Sequence, residues 1–466
     1  MDASTTSKVQ FKEEYNDHFD VRRTRLPSKI PPMGDYDPLD HRTPLTPIKP
    51  WMAYLNMLRT QLGPGMLIMP LVMSQAGVIL GPMLALGYGV LLIHTNIMLL
   101  NCLTEVCRQL KIPYISYRYG FRLAILHGPR ILRRFGRYGP HIIAIFMFLS
   151  QLGICTIAVI LSSDGLRDLM DWQSNDTALL AMLLPYLLLE YFMKSLSIIS
   201  YVNILGHFLN ILGLILVIVQ ALRDPAKVNE YGTIDLMTLT FACGAFLCNF
   251  NAVSVILYID KCLEEARIMR KRLGVISIGM IVPTLMVIVI GTLGYWSFGT
   301  MDENVLRVLP LDEPLSLAII AVYLVSVTLA YPLQCYPAIE VVIEVVKYHD
   351  PINEPNKNVL KKLEIFGRPI FVCLTFLICY CVPFQAPVVA FVGNLCTTLI
   401  SIVFPALMDI SLRYPNNYGK HNYILIKNAI IVFIGSFGFL FGVPLCGYII
   451  YVRFLSIYSP NSHGYY

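Results

Sequence analysis

Charge is what this 466-residue chain has least of: Asp, Glu, Lys and Arg make up 14% of it, against roughly a quarter in an ordinary soluble domain. With 56% hydrophobic residues and a mean hydropathy of +0.61, the chain is too apolar for a water-soluble protein of this size and reads as an integral membrane protein. Enzyme signatures are missing too. There is no His-Glu-x-x-His, no P-loop and no nucleophile elbow, and the Ser, His and Asp residues are scattered along apolar segments. No enzymatic activity, cofactor or metal site is expected. A channel is disfavoured because no repeated pore loop or ring of like charge is visible. The net charge of +6 is not a nucleic-acid footprint, since the positive residues sort by loop as a membrane topology requires.

Residues 1–50 contain no apolar h-region, so no cleavable signal peptide is expected. This tail, polar and proline-bearing, is expected to be disordered and cytosolic; it carries Thr43-Pro44 and Thr46-Pro47, dipeptides open to phosphorylation. The twelve cysteines lie in or beside apolar spans and none lies in the long outer loops. They are expected to pack as small residues rather than to form outer-loop disulfides.

Apolar runs are what the chain has in abundance. Eleven spans are read at about 53–74, 78–101, 139–162, 178–193, 197–221, 236–258, 273–296, 315–346, 369–384, 386–408 and 428–452. Lys and Arg collect in alternate loops: 102–138 holds Arg108, Lys111, Arg118, Arg122, Arg130, Arg133, Arg134 and Arg137, whereas 163–177 holds only Arg167 and 297–314 only Arg307. That asymmetry places the N-terminus in the cytosol and, with eleven spans, the C-terminus outside. The sequon Asn175-Asp176-Thr177 falls in a loop assigned to the outside, which makes Asn175 a candidate glycosylation site. The division expected is a tail at 1–50, a transmembrane domain at 51–455 and a short extracellular or lumenal tail at 456–466.

The first span, Leu55 to Gly77, is interrupted at its centre by Gly63, Pro64 and Gly65. Two glycines and a proline lower helix propensity and remove a backbone donor. Lipid offers no hydrogen bonds, so the freed peptide groups must face protein, water or ligand. A mid-membrane cavity is expected there, with a half-helix N-terminus aimed at an anionic group such as a carboxylate. In the sixth span, Phe250-Asn251-Ala252-Val253-Ser254 is a polar, small-residue stretch between apolar flanks. Asn and Ser compete with the helix for backbone bonds, so it is either a matching break or a regular helix with a buried Asn-Ser face.

These motifs resemble the amino acid/auxin permease family, and within it the proton-coupled amino acid transporter branch. The first span resembles the family's K-G-N-I-G-x-G-L-L-x-L-P in Arg59, Gln61, Gly63, Gly65, Leu67 and Pro70, followed by Ala76-Gly77 and Gly81-Pro82. Gln151-Leu152-Gly153, Leu293-Gly294-Tyr295 with Phe298-Gly299, Tyr331, Leu333, Gln334, Tyr336 and Glu340, then Pro383, Val392-Gly393 and Pro405 continue the likeness in order. The resemblance implies an all-α fold of eleven transmembrane helices: a 5+5 inverted repeat with helices 1 and 6 broken and the eleventh outside the repeat. It implies alternating-access transport of small neutral amino acids in a plasma or endolysosomal membrane. The substrate-binding set it points to is Gln61, Gly63, Pro64, Gly65, Met66, Phe250, Asn251, Ala252, Ser254 and Tyr331, with Asn56, Arg59, Gln334 and Glu340 in coupling or gating roles.

The chain departs from the family pattern where coupling is concerned. A family histidine three residues before the Lys-Gly-Asn is Asn56 here, and the family's Phe-Glu-Gly is Phe250-Asn251-Ala252. Neither amide exchanges a proton as imidazole or carboxylate does. Pro64 replaces a small polar residue and deletes one N–H from the stretch that faces the substrate carboxylate. Transport with little proton dependence is therefore expected; the alternative is a transporter-like amino acid receptor that signals through its tail without sustained flux. Arg59 is expected to snorkel to the inner surface, His94 to bond a backbone carbonyl, and Glu340 with Glu344 to serve at an inner gate.

Overall fold

In lipid every backbone N–H and C=O must be satisfied within its own segment unless it lines a cavity, and a chain this apolar accordingly folds into helices. The computed structural model describes residues 36–44, 47–193, 196–223, 235–301, 303–347 and 357–458. Among them the only β-type pairing is an isolated bridge between Ile48 and Leu263. Eight helical runs are long and apolar enough to cross a membrane.

Helix α1, Pro50–Gln61, opens with proline in its first turn, where the missing N–H costs nothing. It gives way after Leu62 and Gly63 to a 3₁₀ turn, Pro64–Ile68, and then to α2, Met69–Ala76. Gly77, at φ 85°, ends that helix in a conformation that favours glycine. There follow α3 Leu80–Leu110, α4 Tyr117–His127, α5 Gly139–Met170, α6 Asn175–Phe192 and α7 Leu196–Arg223. Next come α8 Leu236–Asn249, α9 Val253–Cys262, α10 Val275–Phe298, α11 Pro314–Lys347 and α12 Lys357–Cys381. The last part comprises α13 Gln385–Val392, a π-helical stretch Gly393–Val403, α14 Phe404–Leu412 and α15 Tyr423–Tyr458.

The first, fourth and ninth expected spans are not among the eight long apolar runs. The first is divided by its break. Asn175, Asp176 and Glu190 dilute the apolar character of α6, and only Ile365–Cys381 of α12 is apolar. The ninth span also ends earlier than expected, because the helix stops at Cys381 and residues 382–384 are non-helical.

Burial grades the bundle. The most apolar window of 236–262 is 89% buried and that of 385–412 is 78% buried, whereas that of the last helix is 22% buried. The sixth and tenth segments thus lie at the centre and α15 at the rim, where Phe433, Phe437, Phe441 and their apolar neighbours face outward. Helix α8 packs against α13 and the π-helical stretch. The crossing is made of backbone: a Cβ at Gly393 would stand 1.8 Å from the Gly244 carbonyl oxygen. Small residues let membrane helices approach this closely. Helix α11 packs along both α5 and α7, and α10 covers α1 and α2. This leaves the two interruptions, near residues 63 and 251, enclosed by α5, α8 and α13.

Candidate functional site

At the first interruption Gly63 is extended (φ −84°, ψ −161°), and the Met66 N–H closes a tight turn on the Gly63 carbonyl at 3.1 Å. Helix α1 therefore presents carbonyls at Gln61 and Leu62, while the 3₁₀ turn presents its N-terminal end with no N–H at Pro64. Two side-chain bonds reach the backbone of the breaks. Asn210 Nδ2 of α7 donates to the Leu62 carbonyl at 2.6 Å, and Gln61 Nε2 donates to the Phe250 carbonyl at 3.3 Å.

The second interruption is real: α8 ends at Asn249, Phe250 to Ala252 leave the helix, and α9 starts at Val253. Of the two alternatives open for this stretch, the break is the one that forms. Asn251 is fixed by donating from Nδ2 to Ser150 Oγ of α5 at 2.6 Å, and its Oδ1 is buried without a partner. Ser254 Oγ, in the first turn of α9, is also buried and unpartnered. The C-terminal end of α8, rich in carbonyl dipole, and the N-terminal end of α9 thus meet across three residues.

Between the breaks lies a cavity of about 30 Å³ bounded by Thr60, Gly63, Pro64, Gly65, Ile154, Ile157, Cys248, Asn249, Asn251 and Val389. At roughly 10–15 Å³ per water centre it admits about two waters, so a free amino acid enters only if the walls move apart. Gly65 makes the closest approach: a Cβ there would lie 2.5 Å from Asn249 Oδ1.

Of the expected binding residues, Gly63, Pro64, Gly65 and Asn251 border this cavity. Gln61, Met66, Phe250 and Ala252 are buried immediately behind it, Gln61 through its bond to Phe250. Tyr331 lies elsewhere, its hydroxyl 3.0 Å from Thr375 Oγ1 and its ring edge-on to Tyr186. Asn249, one residue before the stretch that drew attention in the sequence, was missed although it is a polar residue in an apolar run. Ile154, Ile157 and Val389 carry no sequence signal that separates them from other membrane residues.

The expected coupling residues are dispersed. Asn56 donates to Ser200 Oγ of α7 at 2.7 Å. Arg59 does not snorkel: it is 2% exposed and its Nη2 donates to the Ser326 carbonyl oxygen of α11. At that depth the Ser326 carbonyl of α11 meets the guanidinium, and Gly206 of α7 leaves room beside it. Gln334 is buried with Oε1 unpartnered. Glu340 accepts from the Tyr336 hydroxyl at 3.3 Å and faces Lys261 of α9 at 3.7 Å, and Glu344 faces Arg118 at 3.8 Å. His94 meets Lys427 Nζ of α15 at 2.9 Å rather than a backbone carbonyl. Asn175 starts α6, where its Oδ1 accepts from Arg167 at 3.4 Å.

Polar contacts gather at both ends of the bundle. Where α5 finishes, Arg307 pairs with Asp164 at 2.7 Å, Asn304 Nδ2 donates to Gln385 Oε1 at 2.5 Å, and Glu303 accepts from the Ala386 N–H at 2.9 Å and pairs with Arg453. At the end of α9, part of the N-terminal segment is strapped across the bundle. Arg42 pairs with Asp260 at 2.7 Å and donates to the Pro113 carbonyl at 3.0 Å, while the Ile48 N–H bonds the Cys262 carbonyl at 2.9 Å. Arg267 joins Asp37 and Asp40 at 2.6 and 2.8 Å. Burial of Asp37 opposes its ionisation, but the Leu39 N–H and the Arg267 guanidinium outweigh it and hold the carboxyl below its ordinary value. Residues 1–35, 45 and 46 of the expected tail, Thr46 among them, lie outside the described residues.

A helical membrane bundle with two interrupted helices meeting at a small cavity has the architecture of a small-solute carrier. The chain belongs to the transmembrane amino acid transporter protein family, whose model matches residues 46–446. It is 22% identical over 415 residues to the proton-coupled amino acid transporter-like protein pathetic of Drosophila melanogaster, covering 88% of this chain and 87% of that one. It is 24% identical over 402 residues to the amino acid transporter AVT1C of Arabidopsis thaliana, covering 83% of this chain and 68% of that one. The family is one of transporters, not enzymes.

Proposed function

We propose that the protein moves small neutral amino acids across a membrane by alternating access, with the site at the paired breaks. The observation that carries this reading is the cavity shared by Gly63, Gly65, Asn249 and Asn251. Its polar boundary is dipolar: the Gly65 N–H at the start of the 3₁₀ turn suits a carboxylate, and carbonyls at the end of α8 with Asn249 and Asn251 suit an ammonium. The short reach between them and the apolar wall of Ile154, Ile157 and Val389 suit a small uncharged side chain. Eleven crossings arranged as a 5+5 inverted repeat, N-terminus cytosolic and C-terminus extracellular or lumenal, account for the two breaks as equivalent features. The plasma and endolysosomal membranes both suit this topology, and the outer loop then carries Asn175 for glycosylation.

The proton plays little part in this scheme. Among the described residues no carboxylate or imidazole borders the cavity, and the amides at the two positions of interest, Asn56 and Asn251, are engaged with Ser200 and Ser150. Reconstituted protein with labelled glycine, alanine and proline tests the proposal. Saturable uptake that is nearly unchanged by an imposed pH gradient is expected, and substrate-evoked proton currents contradict the coupling part. The strapping of residues 36–44 and 47–48 across the end of α9 favours a second reading, an amino acid receptor whose tail reports occupancy. Binding without flux, together with ligand-dependent exposure of that segment, would select it. Neither flux nor binding across a wider amino acid panel rejects both.

A further inference from the structure

A polar stripe runs along α7 through the apolar interior: Ser200, Asn203, His207 and Asn210, spaced three, four and three residues apart, share one helical face and are all buried. Its two ends are tied to the first span, Ser200 by Asn56 and Asn210 by the Leu62 carbonyl. Arg59 lies midway between those ties and so faces the middle of the stripe. Its guanidinium lies against Gly206, where a Cβ would stand 3.4 Å from Nη2. Helix α11 closes the third side. Arg59 Nη2 donates to the Ser326 carbonyl, Ser326 Oγ donates to the Gly206 carbonyl at 3.1 Å, and the Tyr323 ring packs on Gly213 of α7.

A cation buried without a partner is among the costliest arrangements in a protein. Arg59 is buried in this way, and among the described residues no carboxylate pairs with it. The donors on the facing surfaces of α7 and α11 do not supply the missing charge. Arg59 Nε, Asn203 Nδ2, His207 Nδ1 and the Tyr323 hydroxyl are all buried and unpartnered. All of them can donate, His207 in the tautomer that protonates Nδ1. Asn203 Oδ1 is also unpartnered, but an amide can turn either end to a neighbour. Donors gathered about one positive charge, without a carboxylate, form the recognition chemistry of an anion.

We propose that Arg59, Asn203, His207 and Tyr323 form a binding site for one compact monovalent anion, a halide or a carboxylate, at the junction of α1, α7 and α11. The site is separate from the cavity at the breaks, which none of the four residues borders, although Thr60 next to Arg59 does. An anion there neutralises Arg59 and fastens the half-helix α1 to α7 and α11. Its departure frees α1. The occupant is either inorganic chloride, acting as a fixed ligand of the carrier, or the carboxylate of a transported amino acid leaving past α1.

Purified full-length protein in detergent, with a bulky sulfonate as the only other anion, tests this without any need for transport. Chloride should raise the thermal midpoint saturably by several degrees and bind as the radioactive ion. Arg59→Gln should abolish both effects, Arg59→Lys should keep part of them, and Tyr323→Phe should weaken binding about tenfold. If the occupant is a carboxylate, acetate and alanine give the Arg59-dependent shift, whereas chloride and alaninol do not. Should Arg59→Gln fail to fold, Tyr323→Phe and Asn203→Leu decide the matter. The site is overturned if neither halide nor carboxylate binds saturably to the wild type, or if binding survives unchanged in every folded variant. Because the readout is binding in detergent, a carrier that proves to have no flux leaves this outcome unaffected.

Discussion

Gln61 donates from Nε2 to the carbonyl oxygen of Phe250 at 3.3 Å, so the last residue of α1 is tied to the first residue to leave the helix after α8. The bond joins two breaks that are 189 residues apart in the chain. Gln61→Leu removes the donor and leaves a buried carbonyl unsatisfied, which costs about 1–3 kcal/mol. Amino acid flux in proteoliposomes should fall by roughly tenfold or more, with the thermal midpoint falling as well. Gln61→Met, of similar length and without any donor, should behave like Leu rather than like the wild type.

Gly65 sets the depth of the cavity. A methyl group there meets Asn249 Oδ1 at 2.5 Å, and Asn249 itself borders the cavity. Gly65→Ala should raise the apparent KM for glycine and alanine alike, with surface expression kept. Pairing it with Asn249→Ala should recover part of the space but not the ammonium contact, so affinity stays low. Equal flux in Gly65→Ala and the wild type would place the substrate elsewhere.

Glu190 and Arg368 form a buried pair between α6 and α12 at 2.8 Å, and Arg368 also donates to the Met193 carbonyl at 3.0 Å. Removing one partner of such a pair costs about 3–5 kcal/mol, whereas replacing both with apolar groups is close to neutral. Arg368→Met should therefore lower the thermal midpoint sharply. The double change Glu190→Leu with Arg368→Met should restore most of it, because no charge then remains buried.

The strap formed by residues 36–44 and 47–48 has a defined pH response. Asp37 is held below its ordinary value, so its contribution is complete above the unfolded carboxylate pKa of about 3.9 and is lost as pH falls through the lowered folded value. Hydrogen exchange in residues 37–42, corrected for intrinsic rates, should stay slow from neutral pH to about pH 5 and quicken only below about pH 4. Arg42→Ala, which breaks the pair with Asp260, should release the segment at every pH. Because Asp37 and Arg267 are both largely exposed, the Asp37 step should be small beside the effect of Arg42.

How much could be read in advance depended on whether the cause was local. Gly63, Pro64 and Gly65 interrupt a helix by their own backbone chemistry, so the first break was visible in the order of residues. The second has no glycine or proline, and Asn251 only permits unwinding; what holds it open is Ser150, about one hundred residues away. Arg59 was expected to snorkel because what it meets, the Ser326 carbonyl and Gly206, lies on α11 and α7 and a single-span reading cannot see them. The same holds for His94, whose partner Lys427 is on the last helix. Asn249, Ile154 and Val389 reached the cavity through helix packing alone.

Cys248 borders the cavity at the end of α8, and this makes the central claim measurable on the native chain. Mass spectrometry can follow its alkylation by a small permeant maleimide, with the exposed thiol of Cys373 as internal reference. If the paired breaks hold the substrate, saturating alanine or glycine slows modification of Cys248 severalfold, at concentrations matching the KM for uptake, and leaves Cys373 unchanged. Saturable uptake with no change in the reactivity of Cys248 would contradict the account.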